Sequence, residues 1–362
     1  MSNARNLANL LGTGTQITTA DIADGAFQAN KNLIINGKFQ IFQRATSATN
    51  PGGGYDTADR WRSSQNSGGL GNYNAEQSTD TPVGFTNSYK LTNTSATTQS
   101  ANVSAYIEQY FEGQNVQHLN YGSSSAVKLT ASFHVKSSVT GIYGCFLGDG
   151  ESGKSNVQTY TINSANTWEK KVVTFNGDTQ TALANDSSKE LSIGFVLGAG
   201  TSYQTSSTNT WASGGKLSTS SQTQWKETNG ATFFLTGIQL EVGDTATPFE
   251  HRSYGDELAR CHRYYAESNW VGTQVVDSNN TNRNLIPAPP QSMRGNPTIT
   301  VFHPSTGTAN QGYCFSSGVT ATISYIGGFN SLNTFQIGTG AYLQSDNNNR
   351  YTSFRMKMDA EL

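Results

Sequence analysis

The stretch FFLTGIQLEVGDTATPFEHRSYGDELARCHRYY, residues 233–265, sets a strand-like run, a turn, an acidic-to-basic segment and a pair of tyrosines end to end with almost no linker. Ser253 followed by Asp256 resembles a capping box with Asp in place of the usual Glu or Gln. Tyr254, Leu258, Cys261 and Tyr265 recur at helical spacing, with acidic residues first and Arg260 and Arg263 last, the order that the helix dipole favours. The pattern predicts a linking helix over residues 253–266 that closes one β-domain and opens another.

Upstream of this join the texture is that of strands. In NLIINGKFQIFQRAT (32–46) apolar residues alternate around a glycine turn. Period-two patterning returns in SAVKLTASFHVKSS (125–138), IYGCFLGD (142–149), WEKKVVTFNGD (168–178), LSIGFVLGAG (191–200) and ATFFLTGIQLEV (231–242). Strands followed by Gly, Asn, Asp or Ser, with no long helical period between them, predict an antiparallel jelly-roll β-sandwich over residues 31–252. Residues 198–231 are too polar for a core strand and too long for a tight turn, and read as a surface excursion. Downstream, PTITVFHP, CFSSGVTATISYIGG, NTFQIGTG and SFRMKMDAEL predict a smaller C-terminal β-sandwich over 267–362. The fold class is therefore all-β. Residues 1–30 are poor in large apolar groups apart from Leu7, Leu10 and Leu11, so this segment reads as an extended arm ordered by a partner.

Composition agrees with this architecture. Of the 362 residues only 13% are charged, yet mean hydropathy is −0.50, so neutral polar side chains supply the polarity and favour turns and pleated surfaces. Lys+Arg 23 against Asp+Glu 25 leaves a formal charge of −2 and no basic block, which argues against a nucleic-acid partner. Cys145, Cys261 and Cys314 are single and odd in number, suggesting neither a disulfide framework nor a zinc site and fitting assembly in a reducing cytosol. No apolar run approaches the ~18 residues of a membrane span, and the N-terminus lacks a signal peptide's hydrophobic centre.

Catalytic signatures are scarce. Glu108, Glu112, Asp149, Glu151 and Glu241 are the notable carboxylates, but spacing alone does not pair them across a cleft. His118, His134, His251, His262 and His303 are isolated, with no H-E-x-x-H or G-x-S-x-G. No cofactor is implied. The turn GDGESG (148–153) offers oxygens to Ca²⁺ but lacks the alternating D-x-D-x-D ladder, and reads as a solvated hairpin tip. Trp61 and Trp168 sit at strand edges and are expected in the core. Tyr203, Trp211 and Trp225 lie in the polar excursion, where no strand pattern requires them. Two readings stand: a mini-core of that loop, or a shallow platform for glycan.

Taken in order, NLIINGKFQIFQRAT…YDTADRW, IEQYFEGQNVQHLNYGSSSAVKLTASFHVKSSVTGIYG, YTINSANTWEKKVVTF, the opening stretch and PPQSMRGNPTITVFHPSTG…DAEL resemble the fibre and receptor-binding proteins of tailed phages, with a module similar to carbohydrate-binding jelly rolls. The resemblance implies a homotrimeric virion fibre, assembled in the bacterial host cytoplasm and exposed on the particle. Its arm would dock onto a tail or capsid adaptor through Leu7, Leu10 and Leu11. Its β-domains would attach to host surface polysaccharide without catalysis or membrane insertion. A tail fibre is the preferred reading, ahead of a head fibre or capsid decoration and of a polysaccharide depolymerase. In a trimer the Tyr254, Leu258 and Cys261 stripe would pack near the threefold axis.

Overall fold

The computed structural model describes residues 30–66, 71–150, 153–276, 282–285, 291–314, 319–327, 336–339 and 350–362. The predicted arm, with Leu7, Leu10 and Leu11, lies outside the described residues. In chain order the strands before the helix are β1 (Ser47–Thr49), β2 (Arg62–Asn66), β3 (Tyr73–Ser78), β4 (Ser88–Asn93), β5 (Ser104–Glu112), β6 (Leu129–Ser137), β7 (Gly141–Asp149), β8 (Lys154–Ile162), β9 (Glu169–Phe175), β10 (Lys189–Ala199), β11 (Gln204–Thr205), β12 (Trp211–Ser213), β13 (Ser218–Thr219) and β14 (Thr232–Val242). Helix α1 (Tyr254–His262) follows. After it come β15 (Tyr265–Val276), β16 (Asn282–Leu285), β17 (Thr298–Phe302), β18 (Gln311–Cys314), β19 (Val319–Gly327), β20 (Gln336–Thr339) and β21 (Arg350–Asp359). The chain is all-β, as its patterning predicts.

Two six-stranded antiparallel sheets, ordered β1-β3-β4-β14-β6-β9 and β12-β8-β7-β10-β5-β2, form a sandwich. Alternation fills its interior: Leu129, Ala131, Phe133 and Val135 of β6 meet Leu191, Ile193, Phe195 and Leu197 of β10 in one buried cluster. Full burial of each large side chain is worth roughly 1.5–3 kcal/mol, so these alternating rows dominate the stability of the sandwich. Strand β14 keeps its apolar face inward across a change of parity. Phe233 and Leu235 precede, and Ile238 and Leu240 follow, a register shift between Thr236 and Gln239. Gly237 occupies the bulge at φ +60, and a Cβ there would lie 2.5 Å from the Phe85 ring.

Residues 32–46 depart from the strand prediction over their whole length, and β1 begins only at Ser47. Asn36, fully buried at φ +58, organises a compact turn instead. Its side chain donates to the carbonyls of Ile41 (2.8 Å) and Asp59 (3.0 Å) and accepts from the amides of Gln40 and Ile41. One satisfied amide thus competes successfully with ladder pairing. Ile34, Phe39 and Ile41 still point into the core.

The excursion is also more than a loop. β12 extends the second sheet beside β8, β11 pairs with β13, and Leu217 packs on Phe146, Val157, Val196 and Ala199, covering part of that sheet's outer face.

Beyond α1, seven strands form one antiparallel sheet, β15-β16-β20-β19-β18-β21-β17. An additional pairing, Tyr265–Gln274 with Arg350–Asp359, joins β15 to β21 and folds the sheet back on itself. Ala266, Val301, Phe354, Met356 and Met358 form its described core.

The helix is shorter than predicted. It ends at His262 because Tyr265 is drawn into β15 opposite Asp359. Its cap forms as expected, with Ser253 Oγ accepting from the Asp256 amide at 3.1 Å, while the Ser253 hydroxyl donates to the Asp256 carboxylate at 2.7 Å. The threefold-axis stripe needs correction, because Cys261 is fully enclosed by its own chain. Glu257 is buried beside it, accepting from the Asn36 amide at 2.6 Å and lying 3.6 Å from Arg252. The inward face of α1 is thus polar and satisfied within the protomer. Leu258 is half-buried, and Tyr254 is 58% exposed.

Candidate functional site

The second sheet turns its outward residues into a patterned strip. On β5 the inward positions Ala105, Ile107 and Phe111 join the core, while Tyr106, Glu108, Tyr110 and Glu112 alternate on the other face. Register carries the strip across the sheet: Arg62 of β2 lies opposite Glu108, Glu108 opposite Gly194 of β10, and Gly194 opposite Phe146 of β7. Gly194 is required there, since a Cβ would fall 2.2 Å from the Phe146 ring. The ring therefore lies across the sheet and meets Tyr106 edge-on at 5.3 Å.

At the centre is a buried carboxylate. Glu108 accepts from the Tyr110 hydroxyl at 2.8 Å and pairs with Arg62 at 3.2 Å. Burial pushes its pKa up, and Arg62 and the Tyr110 hydrogen bond only partly oppose this. Arg62 also donates to the Tyr110 hydroxyl and stacks over that ring at 5.1 Å, remaining 29% exposed. The Lys189 ammonium sits over the same ring at 4.2 Å. Burial, with the charge of Glu108, pushes the Tyr106 phenol up to about 12 and raises that of Tyr110. All these tyrosines are neutral hydrogen-bonding groups at physiological pH. Farther along β5, Glu112 receives two hydrogen bonds from Arg263 (2.7 and 2.6 Å) and one from Tyr264 (2.6 Å).

The three aromatic residues of the excursion, read either as a mini-core of that loop or as a glycan platform, are not brought together. Tyr203 does join this strip, half-buried against the Phe146 and Tyr106 cluster. Trp211 lies at the sheet edge on β12, donating its indole N–H to the Asn176 carbonyl at 2.8 Å and meeting Tyr121 edge-on at 5.7 Å. Trp225 is fully buried in the main core and can present no face to a ligand. A one-turn helix, Trp225–Glu227, drives it inward, which corrects the platform reading for this residue. Trp61 is in the core as expected. Trp168 is not; it stands half-exposed on the opposite sheet, its indole held by Asp80 at 3.0 Å and its edge on Phe234.

The residues that sequence reading missed were Arg62, Tyr106, Tyr110, Phe146 and Lys189. For Tyr106 and Tyr110 the signal was the alternation in SAYIEQYFE (104–112), where every second residue is aromatic or acidic; Arg62, Phe146 and Lys189 join them only through strand register and ring contacts. Among the described residues no cluster of three or more His, Cys, Asp or Glu is arranged to hold a metal, and no helix is long and apolar enough to cross a membrane. A cleft of about 950 Å³ opens between Asn30–Ile35 and the end of α1. Its charges are engaged internally: Arg263 by Glu112, Arg260 by Asn30, and Lys31 by Thr247.

No protein-family model and no curated protein matches the chain. Among solved structures it is similar to a carbohydrate-binding module of family 4, at 13% identity and TM-score 0.30, covering 57% of this chain and 97% of that one. It is also similar to a family 11 module from Clostridium thermocellum in complex with a β-1,3-1,4-mixed-linked tetrasaccharide, at 13% identity and TM-score 0.28, covering 52% and 91%. A carbohydrate-binding module of family 61 in complex with β-1,4-galactotriose is similar at 9% identity and TM-score 0.31, covering 58% and 98%.

Proposed function

We propose that this chain is a non-catalytic attachment protein that binds host surface glycan on the outer face of its second sheet. The observation that carries the reading is that Tyr203 and Tyr106 stay half-exposed over the buried Phe146 ring, with Arg62 and Lys189, also half-exposed, farther along the same face. Aromatic faces pack against sugar C–H groups, and fixed polar groups beside them engage hydroxyls. The carboxylates of the strip do not suit hydrolysis. Glu108 and Glu112 are four residues apart on one strand, roughly 13 Å at ~3.3 Å per residue. That exceeds the ~5–9.5 Å of a glycosidase pair, and both are held by donors of the chain.

The order of segments resembling tailed-phage fibre proteins supports placing the protein on a virion. There it acts as a homotrimeric tail fibre anchored through residues 1–30. Weak sites repeated threefold, and again over several fibres, give firm attachment by effective concentration.

The test is adsorption of the purified chain to host polysaccharide, wild type against Tyr106→Ala, with light scattering on the same sample. Wild type should bind as a trimer and release no new reducing ends, and Tyr106→Ala should lose at least about tenfold in affinity. Unchanged binding by the variant removes the site, new reducing ends remove the non-catalytic reading, and a monomer at micromolar concentration removes the fibre.

A further inference from the structure

Asp59 is fully buried where the sandwich meets the sheet beyond α1, and no cation there is its own. Its oxygens are held by neutral donors, the Gln43 backbone N–H at 3.0 Å and the Gln43 side-chain amide. The nearest guanidinium is that of Arg44 at 3.9 Å, and the Arg44 nitrogen facing Asp59 makes no hydrogen bond among the described residues. Arg44 is held instead by Asp359 at 3.1 Å and Glu361 at 3.4 Å, from the other side of the join. Arg60 is committed to Glu361, and Arg252 to Glu257 of α1 at 3.6 Å. The other titratable groups around Asp59 supply no positive charge. Asp56 is a further carboxylate near Arg44, and burial raises the Cys261 thiol and the Tyr265 phenol, keeping both neutral.

Gln43 carries the state of this carboxylate across the join. Its side-chain amide also donates to the Tyr265 carbonyl of β15 at 3.0 Å, and its oxygen meets His262 Nε2 of α1 at 3.1 Å. Burial pushes the Asp59 pKa up to about 6, with Gln43 and Arg44 opposing only in part. Above that value the carboxylate competes with Asp359 and Glu361 for Arg44; below it, the protonated group makes no such claim. The folded value is higher than the unfolded 3.8, so the stability contributed by this group is complete below 3.8 and is lost as pH rises through about 6.

We infer that Asp59 is a pH-sensitive latch, which takes up a proton in mild acid, leaves Arg44 to Asp359 and Glu361, and so tightens the join between the sandwich and the sheet beyond α1.

The experiment follows amide hydrogen exchange of the full-length chain by mass spectrometry, corrected for the intrinsic pH dependence of exchange, in wild type and Asp59→Asn. Between about pH 7.5 and 5, protection of β15 and β21 in the wild type should gain about tenfold on the variant. His262, held below the usual imidazole range by burial, works in the opposite direction over this window, but it is present in both chains and the comparison cancels it. Asp59→Ser, which also lacks the carboxyl group, gives the same comparison should Asp59→Asn fail to fold. Parallel profiles of wild type and variant overturn the inference, and so does a gain confined to β6 and β10, which would make Asp59 a group of the sandwich alone. Neither outcome touches the glycan site, since no residue of the latch lies on that strip.

Discussion

Trp225 and Lys226 are adjacent and both fully buried, yet they answer to different physics. Trp225 is a core ring in a polar stretch, so Trp225→Ala should cost about 3–5 kcal/mol, the range for removing a large aromatic from a packed interior. The urea midpoint should fall accordingly, and glycan binding at low temperature should follow only the folded fraction. A direct loss of binding with full stability would return the residue to the surface. Lys226 is a cation with no carboxylate partner among the described residues. Its ammonium donates to Asn93 Oδ1 at 2.7 Å and lies 3.4 Å from the carbonyls of Asn72 and Ser95. Burial pushes its pKa down to about 8. The folded value therefore lies below the unfolded value of 10.5, and between these two the unfolded chain holds a proton that the folded chain has released. Stability contributed by this group rises as pH climbs through that window. Urea midpoints of the wild type should thus gain on those of Lys226→Met between pH 7.5 and 9.5, and parallel curves would refute the assignment.

Strands β5 and β10 show how an element turns composition into a site. Each puts alternate residues into the core, and the outward set is free to carry chemistry because the inward set fixes the register. Gly194 is the hinge of this arrangement, as its missing Cβ leaves room for the Phe146 ring. Gly194→Val should drive Phe146 from the sheet, break its contact with Tyr106 and weaken glycan binding more than tenfold, while the sandwich still unfolds cooperatively. Binding equal to wild type would show that Phe146 and Tyr106 do not act together. The same strands show what was legible beforehand. Period-two alternation predicted β6, β7, β10 and β14, whereas the aromatic-acidic face of β5, although written in SAYIEQYFE, was passed over. The turn at Asn36 was not legible in that way, because a single buried amide making four hydrogen bonds overrode the alternating pattern around it. For Trp225 the folding back was one of two readings, but its place in the main core rather than in a core of the loop itself was not legible, because that core is built by distant strands.

At the scale of the whole molecule, the join between sandwich and third sheet is a buried ionic clamp. Arg60, from the sandwich side, is fully buried; it pairs with Glu361, donates to the Tyr110 carbonyl and stacks on the Tyr264 ring at 3.5 Å. Arg44 reaches the same end of the chain, 3.1 Å from Asp359 and 3.4 Å from Glu361, over the Tyr265 ring. Arg294 completes the clamp by donating to the carbonyls of Ala360, Glu361 and Ser187. Removing one partner of a buried pair leaves the other charge uncompensated, at about 3–5 kcal/mol, whereas an exposed pair is worth about 1 kcal/mol or less. Glu361→Ala should therefore be severe and Glu76→Ala, which breaks the solvent-facing pair with Lys90, should be mild. Because Glu361 follows β21 and Arg60 precedes β2, the loss should also uncouple the two β-units. Calorimetry of Glu361→Ala should show the transition of the third sheet moving to lower temperature, away from that of the sandwich. Glu76→Ala should keep the wild-type profile. Equal small shifts in both variants would mean that the clamp is ornamental and that the coupling of the two β-units comes from elsewhere.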